Sequence, residues 1–292
     1  MTHASTSNST STSTSDELTT KQLADIKDFV YPLATDLGRW AREQSDAHYG
    51  GLPGVEVSTK TSPGDFVTSV DLAVQERLVT ALEAAFPDYG FLGEEAGLND
   101  FDQTQPVWVI DPIDGTHNFV RNYPGFCVSV GLVHGGKSVL GVIFDSATDT
   151  TYWAYRGGGA WQRERRLQVS AKTELRTAMI TTGFTRESAI NDEQMEVFKA
   201  LNGSVAGCRV SGSACRDLTF GASGKIDLFW QHGIRPWDVA AGLVMVEEAG
   251  GKVHLELNGP DLLRSGPLVI FTGAPAIVDQ ALKVRADATR PS

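Results

Sequence analysis

Residues Trp108–Phe119 read W-V-I-D-P-I-D-G-T-H-N-F, and the rest of the chain is organised around them. The apolar run Val107 to Ile110 is β-branched at three of its four positions, the composition of a buried strand. Pro112 lacks a backbone N–H and forbids simple continuation of a ladder, so the strand is expected to end at Asp111. Asp111 and Asp114 then share the short turn that leaves it. Gly115 permits an unusual backbone angle there, and Thr116 and Asn118 can cap a following helix. Carboxylates packed this closely repel and raise each other's pKa unless a hard divalent cation neutralises them. The turn therefore reads as a magnesium site. Amides at a helix N-terminus just beyond it would hold the oxygens of a phosphate, the anion most often paired with that ion. Read alone, a D-P-x-D-G turn could equally lie on the surface and hold nothing, so the rest of the chain decides.

Upstream, Tyr89 to Leu92 is a short strand followed by Gly93, Glu94 and Glu95. Adjacent acids after a glycine ordinarily open a solvated helix. With two aspartates downstream, Glu94 instead supplies a further oxygen ligand or a carboxylate that orients water. Between Gly54 and Asp71 lies a polar loop containing Lys60, Ser62, Pro63, Asp65, Val67 and Thr68. Ser69 or Asp71 then opens a helix with apolar residues Leu72, Val74, Leu78, Leu82, Ala85 and Phe86, ended by Pro87. By itself, Asp71 suits the first turn of that helix. From Ser15 to about Gln44, Leu23, Ile26, Phe29, Val30, Leu33, Leu37 and Trp40 recur every three or four positions, an amphipathic helix with Pro32 as a candidate kink. Residues 1–16 are nearly all Ser, Thr, Asn and Ala and are expected to form a disordered tail.

Downstream, Gly125 to Val133, Val139 to Asp145, Thr150 to Tyr155 and Gly158 to Trp161 read as an antiparallel meander. Gly157-Gly158-Gly159 is a hairpin turn, since neither a helix nor a Lys-Ser/Thr pair follows it. A charged stretch at residues 165–176 separates an N-terminal half, 17–165, from a C-terminal half, 166–292. In the latter, strands at Met179 to Thr182, Val205 to Val210, Ile226 to Trp230, Lys252 to Leu255 and Leu268 to Phe271 alternate with helices at Asn191 to Leu201, Ser213 to Ala222, Pro236 to Ala249 and Pro275 to Val284. Gly212-Ser213-Ala214 leads into a helix with free amides. Pro236-Trp237-Asp238 opens another, where Asp238 read alone is an ordinary first-turn acid.

With 292 residues, 41% of them hydrophobic, the chain can bury a sizeable core. A net charge of −11 and the lack of a Lys/Arg block interleaved with aromatics argue against nucleic acid as a partner. Cys127, Cys208 and Cys215 form no C-x-x-C pair and suit a reducing cytoplasm. No apolar run reaches the roughly 18 residues of a membrane span, and the N-terminus lacks signal-peptide character, so neither membrane nor export is expected. No histidine stands in an H-x-x-x-H pair, and Cys127 reads as core; the site is carboxylate-only.

W-V-I-D-P-I-D-G-T-H-N-F, F-L-G-E-E-A-G and P-W-D-V-A-A-G occur together, in that family's order, in the inositol monophosphatase family of lithium-sensitive, magnesium-dependent phosphomonoesterases, which the chain resembles over almost everything after the Ser/Thr tail. The resemblance implies an α/β layered fold, the αβαβα sandwich of the inositol monophosphatase/fructose-1,6-bisphosphatase type, a homodimer, and a site shared by both halves with two to three Mg2+. Glu94, Asp111 and the Ile113 carbonyl would hold the first ion and Asp111, Asp114 and Asp238 the second, with Glu94 reaching a weaker third. Thr116, hydrogen-bonded to Asp71, would orient the attacking water together with Glu94. The Gly115 and Thr116 amides would bind phosphate, with Lys60 and Asp65 near the site. Asp114, Asp238, Gly212, Ser213 and Ala214 would face the substrate, with Arg209 just before that loop.

Gln231 departs from the pattern, standing where inositol-cleaving members carry a glutamate that accepts hydrogen bonds from substrate hydroxyls. Glutamine keeps one acceptor, adds a donor and loses the charge. The expected activity is hydrolysis of inositol 1-phosphate or a related small polyol phosphate. Gln231 leaves histidinol phosphate, fructose 1,6-bisphosphate and phosphoadenosine phosphate open. From another class, the alternative is a non-catalytic metal-binding interaction protein that kept the fold.

Overall fold

The computed structural model describes residues 17–49, 54–60, 66–95, 98–102, 104–184 and 192–290. The expected N-terminal amphipathic segment forms α1 (Thr20–Tyr49), which runs through Pro32 and buries Leu23, Ile26, Val30, Ala34, Leu37 and Ala41. It extends beyond Gln44, while the expected start at Ser15 and the tail 1–16 lie outside the described residues. Next, β1 (Val57–Thr59) and β2 (Phe66–Thr68) pair antiparallel and lead into α2 (Ser69–Ala85). Thr68 caps this helix, rather than Ser69 or Asp71. Its Oγ1 accepts from the amides of Val70 and Asp71, while Asp71 Oδ2 accepts the Thr68 amide at 3.0 Å, so two otherwise orphaned donors are satisfied reciprocally. The buried face of α2 is Val70, Val74, Leu78 and Leu82; Leu72, expected on it, is 52% exposed.

The first large sheet contains β3 (Gly90–Gly93), β4 (Asn99–Asp100), β5 (Val107–Asp114), β6 (Cys127–His134), β7 (Lys137–Asp145), β8 (Thr150–Tyr155), β9 (Gly159–Gln162) and β10 (Arg165–Arg166), with α3 (Thr116–Val120) between β5 and β6. Its order is β10-β9-β8-β7-β6-β5-β3-β4, so the expected meander is one continuous antiparallel run. The second sheet draws on β11 (Met179–Phe184), β12 (Gly207–Arg209), β13 (Leu228–Ile234), β14 (Lys252–Glu256) and β15 (Leu268–Gly273) in the order β12-β11-β13-β15-β14. Interspersed with these strands are α4 (Asp192–Ser204), α5 (Ala214–Ala222), α6 (Pro236–Glu248) and α7 (Pro275–Ala288).

These elements stack as α1 and α2, the first sheet, α5 and α6, the second sheet, then α4 and α7, the expected αβαβα order. Each interface has its own apolar core. One lies between α1/α2 and the first sheet, a larger one around α5 and α6 between the sheets, and a third under α4 and α7. Glycines set how closely the central helices approach. A Cβ at Gly141 of β7 would lie 2.0 Å from the Ala241 carbonyl oxygen of α6, and one at Gly131 of β6 2.9 Å from the Ala241 amide. Backbone therefore rests on backbone, and the N-terminal end of α6 is brought to the end of β5. No helix among the described residues is long and apolar enough to cross a membrane.

The expected end of the strand at Asp111 is corrected by the structure: β5 continues through Pro112 to Asp114. It does so by a bulge. Asp111 pairs with Ser129 and Asp114 with Cys127, so three steps along β5 oppose two along β6. Pro112 sits inside the irregularity, where no ladder hydrogen bond is asked of it. In a regular strand, residues three apart point to opposite faces. The extra residue instead puts both aspartates on the face shared by Ser129 and Cys127.

Candidate active site

Three carboxylates from both halves of the chain converge where β5 ends and α6 begins. Asp111, Asp114 and Asp238 each present an oxygen, and these lie within 4.8 Å of one another. The first two are buried and Asp238 is half-buried. Asp111 Oδ1 accepts the Ile113 amide at 3.1 Å, within the bulge. Asp238 Oδ2 accepts the Arg235 amide at 2.7 Å in the first turn of α6, so one carboxylate both closes the helix end and faces the cluster. Asp114 receives Ser213 Oγ at 2.6 Å and the amides of Cys215 at 2.7 Å and Ala214 at 3.3 Å. The amides expected to be free at the start of α5 are thus held by a carboxylate from the other half of the chain.

The charge balance of this cluster is unfavourable on protein atoms alone. Burial lifts the Asp111 carboxyl well above its ordinary range, and the charges of Glu94, Asp114 and Asp238 lift it further. Asp238 is raised by burial and then by Asp114, with the Arg235 amide pulling the other way. Burial pushes Asp114 up to about 6, against the lowering hydrogen bonds from Ser213 and Cys215. A buried oxygen-only donor set whose members raise one another's pKa fits a hard divalent cation such as magnesium.

Beside the cluster is a cavity of about 210 Å³ lined by Glu94, Asp111, Ile113, Asp114, Gly115, Thr116 and Asp238, among others. Thr116 Oγ1 lies 3.3 Å from Asp71 Oδ1 and 3.1 Å from the Ile113 carbonyl oxygen, so one hydroxyl proton has two acceptors. Burial drives Asp71 up to about 7; hydrogen bonds from Thr68 lower it, and the charges of Glu95 and Glu94 raise it. Glu94 is engaged by Lys60, whose Nζ is 2.7 Å from Glu94 Oε1 and from Glu95 Oε1. Burial lowers the Lys60 pKa, but the two carboxylates outweigh it and hold it above its ordinary value. Asp65 lies outside the described residues.

Thr116 and Asn118 do not cap α3. Its cap is Gly115 at φ +93°, with no side-chain hydrogen bond. Freed from that role, Asn118 Nδ2 donates to the carbonyls of Gly125 at 2.8 Å and Ser211 at 3.0 Å, tying the two halves together. A Cβ on Gly115 would come within 2.9 Å of the Gly212 carbonyl oxygen, so this position needs glycine for its backbone angle and for its space.

A second cavity, of about 230 Å³, shares Asp114, Gly212 and Asp238 with the first. Gly212, Ser213, Ala214 and Gln231 line it, which places the expected substrate-facing loop and the departing residue together. Arg209 is not among its lining residues. It is exposed, and its Nη1 donates to the Cys208 carbonyl at 2.9 Å. Sequence reasoning missed Thr182, Gly183 and Asp217, which line the same cavity. Gly183 pairs with Gln231 across parallel strands, and a Cβ there would sit 2.3 Å from Gln231 Oε1. In sequence, Asp217 looks like any acid in a helix's first turn. In the structure it is 2% exposed, and burial drives its carboxyl well above the ordinary range, with the Ser211 hydroxyl pulling the other way. Cys127 and Cys215 are buried, and burial raises both thiols, so neither is poised as a nucleophile.

A five-layer α/β sandwich with a buried acidic cluster between its halves defines a class of metal-dependent hydrolases, and comparison with known proteins narrows it. The model of the inositol monophosphatase family matches residues 26–282. The chain is 38% identical over 222 residues to an inositol-1-monophosphatase of Mesorhizobium japonicum, covering 76% of this chain and 83% of that protein. To a Nus factor SuhB of Xylella fastidiosa it is 41% identical over 201 residues, 68% and 72% of the two chains. Among solved structures, the extragenic suppressor protein suhB of Bartonella henselae superposes with a TM-score of 0.79 at 31% identity, covering 92% of this chain and all of that one. The chain belongs to the inositol monophosphatase family, and it is a hydrolase of the phosphatase class.

Proposed function

We propose that the protein is a magnesium-dependent phosphomonoesterase acting on inositol 1-phosphate or a related small polyol phosphate. The observation that carries the reading is the convergence of Asp111, Asp114 and Asp238 within 4.8 Å between two cavities, one against the Gly115 and Thr116 backbone and one against Gln231. Glu94, Asp111, the Ile113 carbonyl, Asp114 and Asp238 would hold two to three ions. When bound, magnesium supplies Lewis-acid neutralisation of the phosphate charge and a more acidic water.

The chain's own residues do the positioning. The Gly115 and Thr116 amides hold the phosphate oxygens. Thr116, its hydroxyl beside Asp71, and Glu94 orient the attacking water. An ionised Asp71 draws the Thr116 proton toward itself and leaves the hydroxyl's lone pairs facing the water. Asp114, Asp238, Gly212, Ser213, Ala214 and Gln231 border the leaving alcohol. Lys60 offsets the charge of Glu94 and Glu95 beside the aspartate cluster. A cytoplasmic homodimer inhibited by millimolar lithium belongs to the same reading.

The test is phosphate release from inositol 1-phosphate, histidinol phosphate, fructose 1,6-bisphosphate and phosphoadenosine phosphate, with magnesium and with chelator, for wild type and for Asp111→Asn. Release should require magnesium, favour inositol 1-phosphate and vanish in a folded Asp111→Asn protein. Phosphate release that is the same in the variant would remove Asp111 from the site, and no release from any ester would end the phosphatase reading.

A further inference from the structure

Asp217 is carried by the first turn of α5, but it does not cap that helix; Ser213 does, accepting the Arg216 amide. The carboxyl group is instead built into the wall of the 230 Å³ cavity, 98% buried by its 2% exposure, and its Oδ1 has no hydrogen-bond partner. Buried polar atoms left without partners cost stability, and such groups in a cavity wall are satisfied by what enters it. Asp114 and Asp238 line the same cavity, and Phe184 and Val210, 37% and 57% exposed, add apolar surface to its lining.

We propose that Asp217 is a specificity-determining residue for the leaving group: its carboxyl accepts a hydrogen bond from a hydroxyl of the alcohol, at a carbon away from the ester oxygen. The inference rests on the phosphatase reading above and adds a residue and a selection rule to it. Rotation about χ2 exchanges the two carboxyl oxygens, and in either protonation state one of them accepts, so a hydroxyl donor is met at any working pH. An alcohol of equal size without hydroxyls leaves the Asp217 oxygen unpartnered, and rejection of such an analogue is the strong form of discrimination. The apolar surface contributed by Phe184 and Val210 suits the C–H face of a hydroxylated ring.

Inositol 1-phosphate and cyclohexyl phosphate share a six-carbon ring and differ in its hydroxyls, so their ratio of kcat/KM reads this contact. Wild type should prefer the hydroxylated ring by about tenfold or more, the value of one hydrogen bond to a buried polar group. Asp217→Leu, similar in size and without an acceptor, should lower the ratio by about tenfold while leaving kcat/KM for cyclohexyl phosphate within about twofold. Asp217→Asn retains an acceptor and should keep most of the ratio. An unchanged ratio in Asp217→Leu, or an equal fall for both esters in both variants, assigns Asp217 to packing and overturns the proposal. If Asp217→Leu does not fold, the wild-type preference and the Asp217→Asn ratio decide: absence of preference in wild type overturns it. Hydrolysis of neither ester by wild type in magnesium would instead show that the phosphatase reading itself had failed, and this inference with it.

Discussion

Replacing Asp71 by asparagine should make the metal-free protein less sensitive to alkaline pH while impairing turnover. Asp71 is fully buried and pushed from 3.8 up to about 7, first by burial and then, against the hydrogen bonds of Thr68, by the charges of Glu95 and Glu94. Its folded-state pKa is therefore above that of the unfolded chain. Between about pH 4 and about pH 7 the folded state keeps a proton that the unfolded state has lost. The group's contribution to stability is most favourable at low pH, falls across that window and is flat above it. At 1.36 kcal/mol per unit, going from about pH 5.5 to about pH 8.5 should cost about 2 kcal/mol through this group alone. Asparagine does not titrate and keeps an oxygen for the Thr68 amide. Urea unfolding of both proteins in chelator at the two pH values measures the effect. The stability difference should move by about 2 kcal/mol in favour of Asp71→Asn at the higher pH. A difference that stays constant, or moves toward wild type, would refute the assignment of Asp71 as a carboxyl whose pKa burial raises. In magnesium, the variant's kcat should fall more than its KM changes, since the amide can donate toward Thr116 where the carboxylate only accepts.

Two further outcomes follow from the site geometry. Gln231→Glu should restore a charged acceptor in the leaving-group cavity and shift the preference toward inositol 1-phosphate by about 1–3 kcal/mol in transition-state terms, without altering the magnesium requirement; a constant ratio across the four esters would remove Gln231 from substrate recognition. Gly115→Ala places a Cβ 2.9 Å from the Gly212 carbonyl at a backbone φ of +93°, and should cost about 1–2 kcal/mol in thermal or urea unfolding as well as most of the turnover; a variant with normal stability would contradict the observed backbone angle.

The chain's local signals were read from neighbours within a turn or a strand, and those readings agree with the elements that form. Apolar periodicity locates α1 and α2, alternation locates β6 to β9, and Glu94 with Asp111 and Asp114 reads as an acidic site, to which the family resemblance adds Asp238. Local reading erred where a residue's role depends on a partner from a distant part of the chain. Pro112 looked like a strand terminator because its missing N–H is visible in sequence, whereas the bulge that makes the loss harmless is a property of the pairing with β6. Asp114 as the anion at the start of α5 and Asn118 as a tie between the two halves share this dependence. Asp217 and Asp238 look alike in sequence, each an acid in the first turn of a helix. Packing separates them, because α6 rests on Gly131 and Gly141 with its N-terminal end at the carboxylates of β5, while α5 turns Asp217 into the cavity beside Gln231. Hydrogen-bonding periodicity is a short-range property of the chain, but the burial and mutual repulsion that give these carboxylates their chemistry exist only once the layers have closed around them.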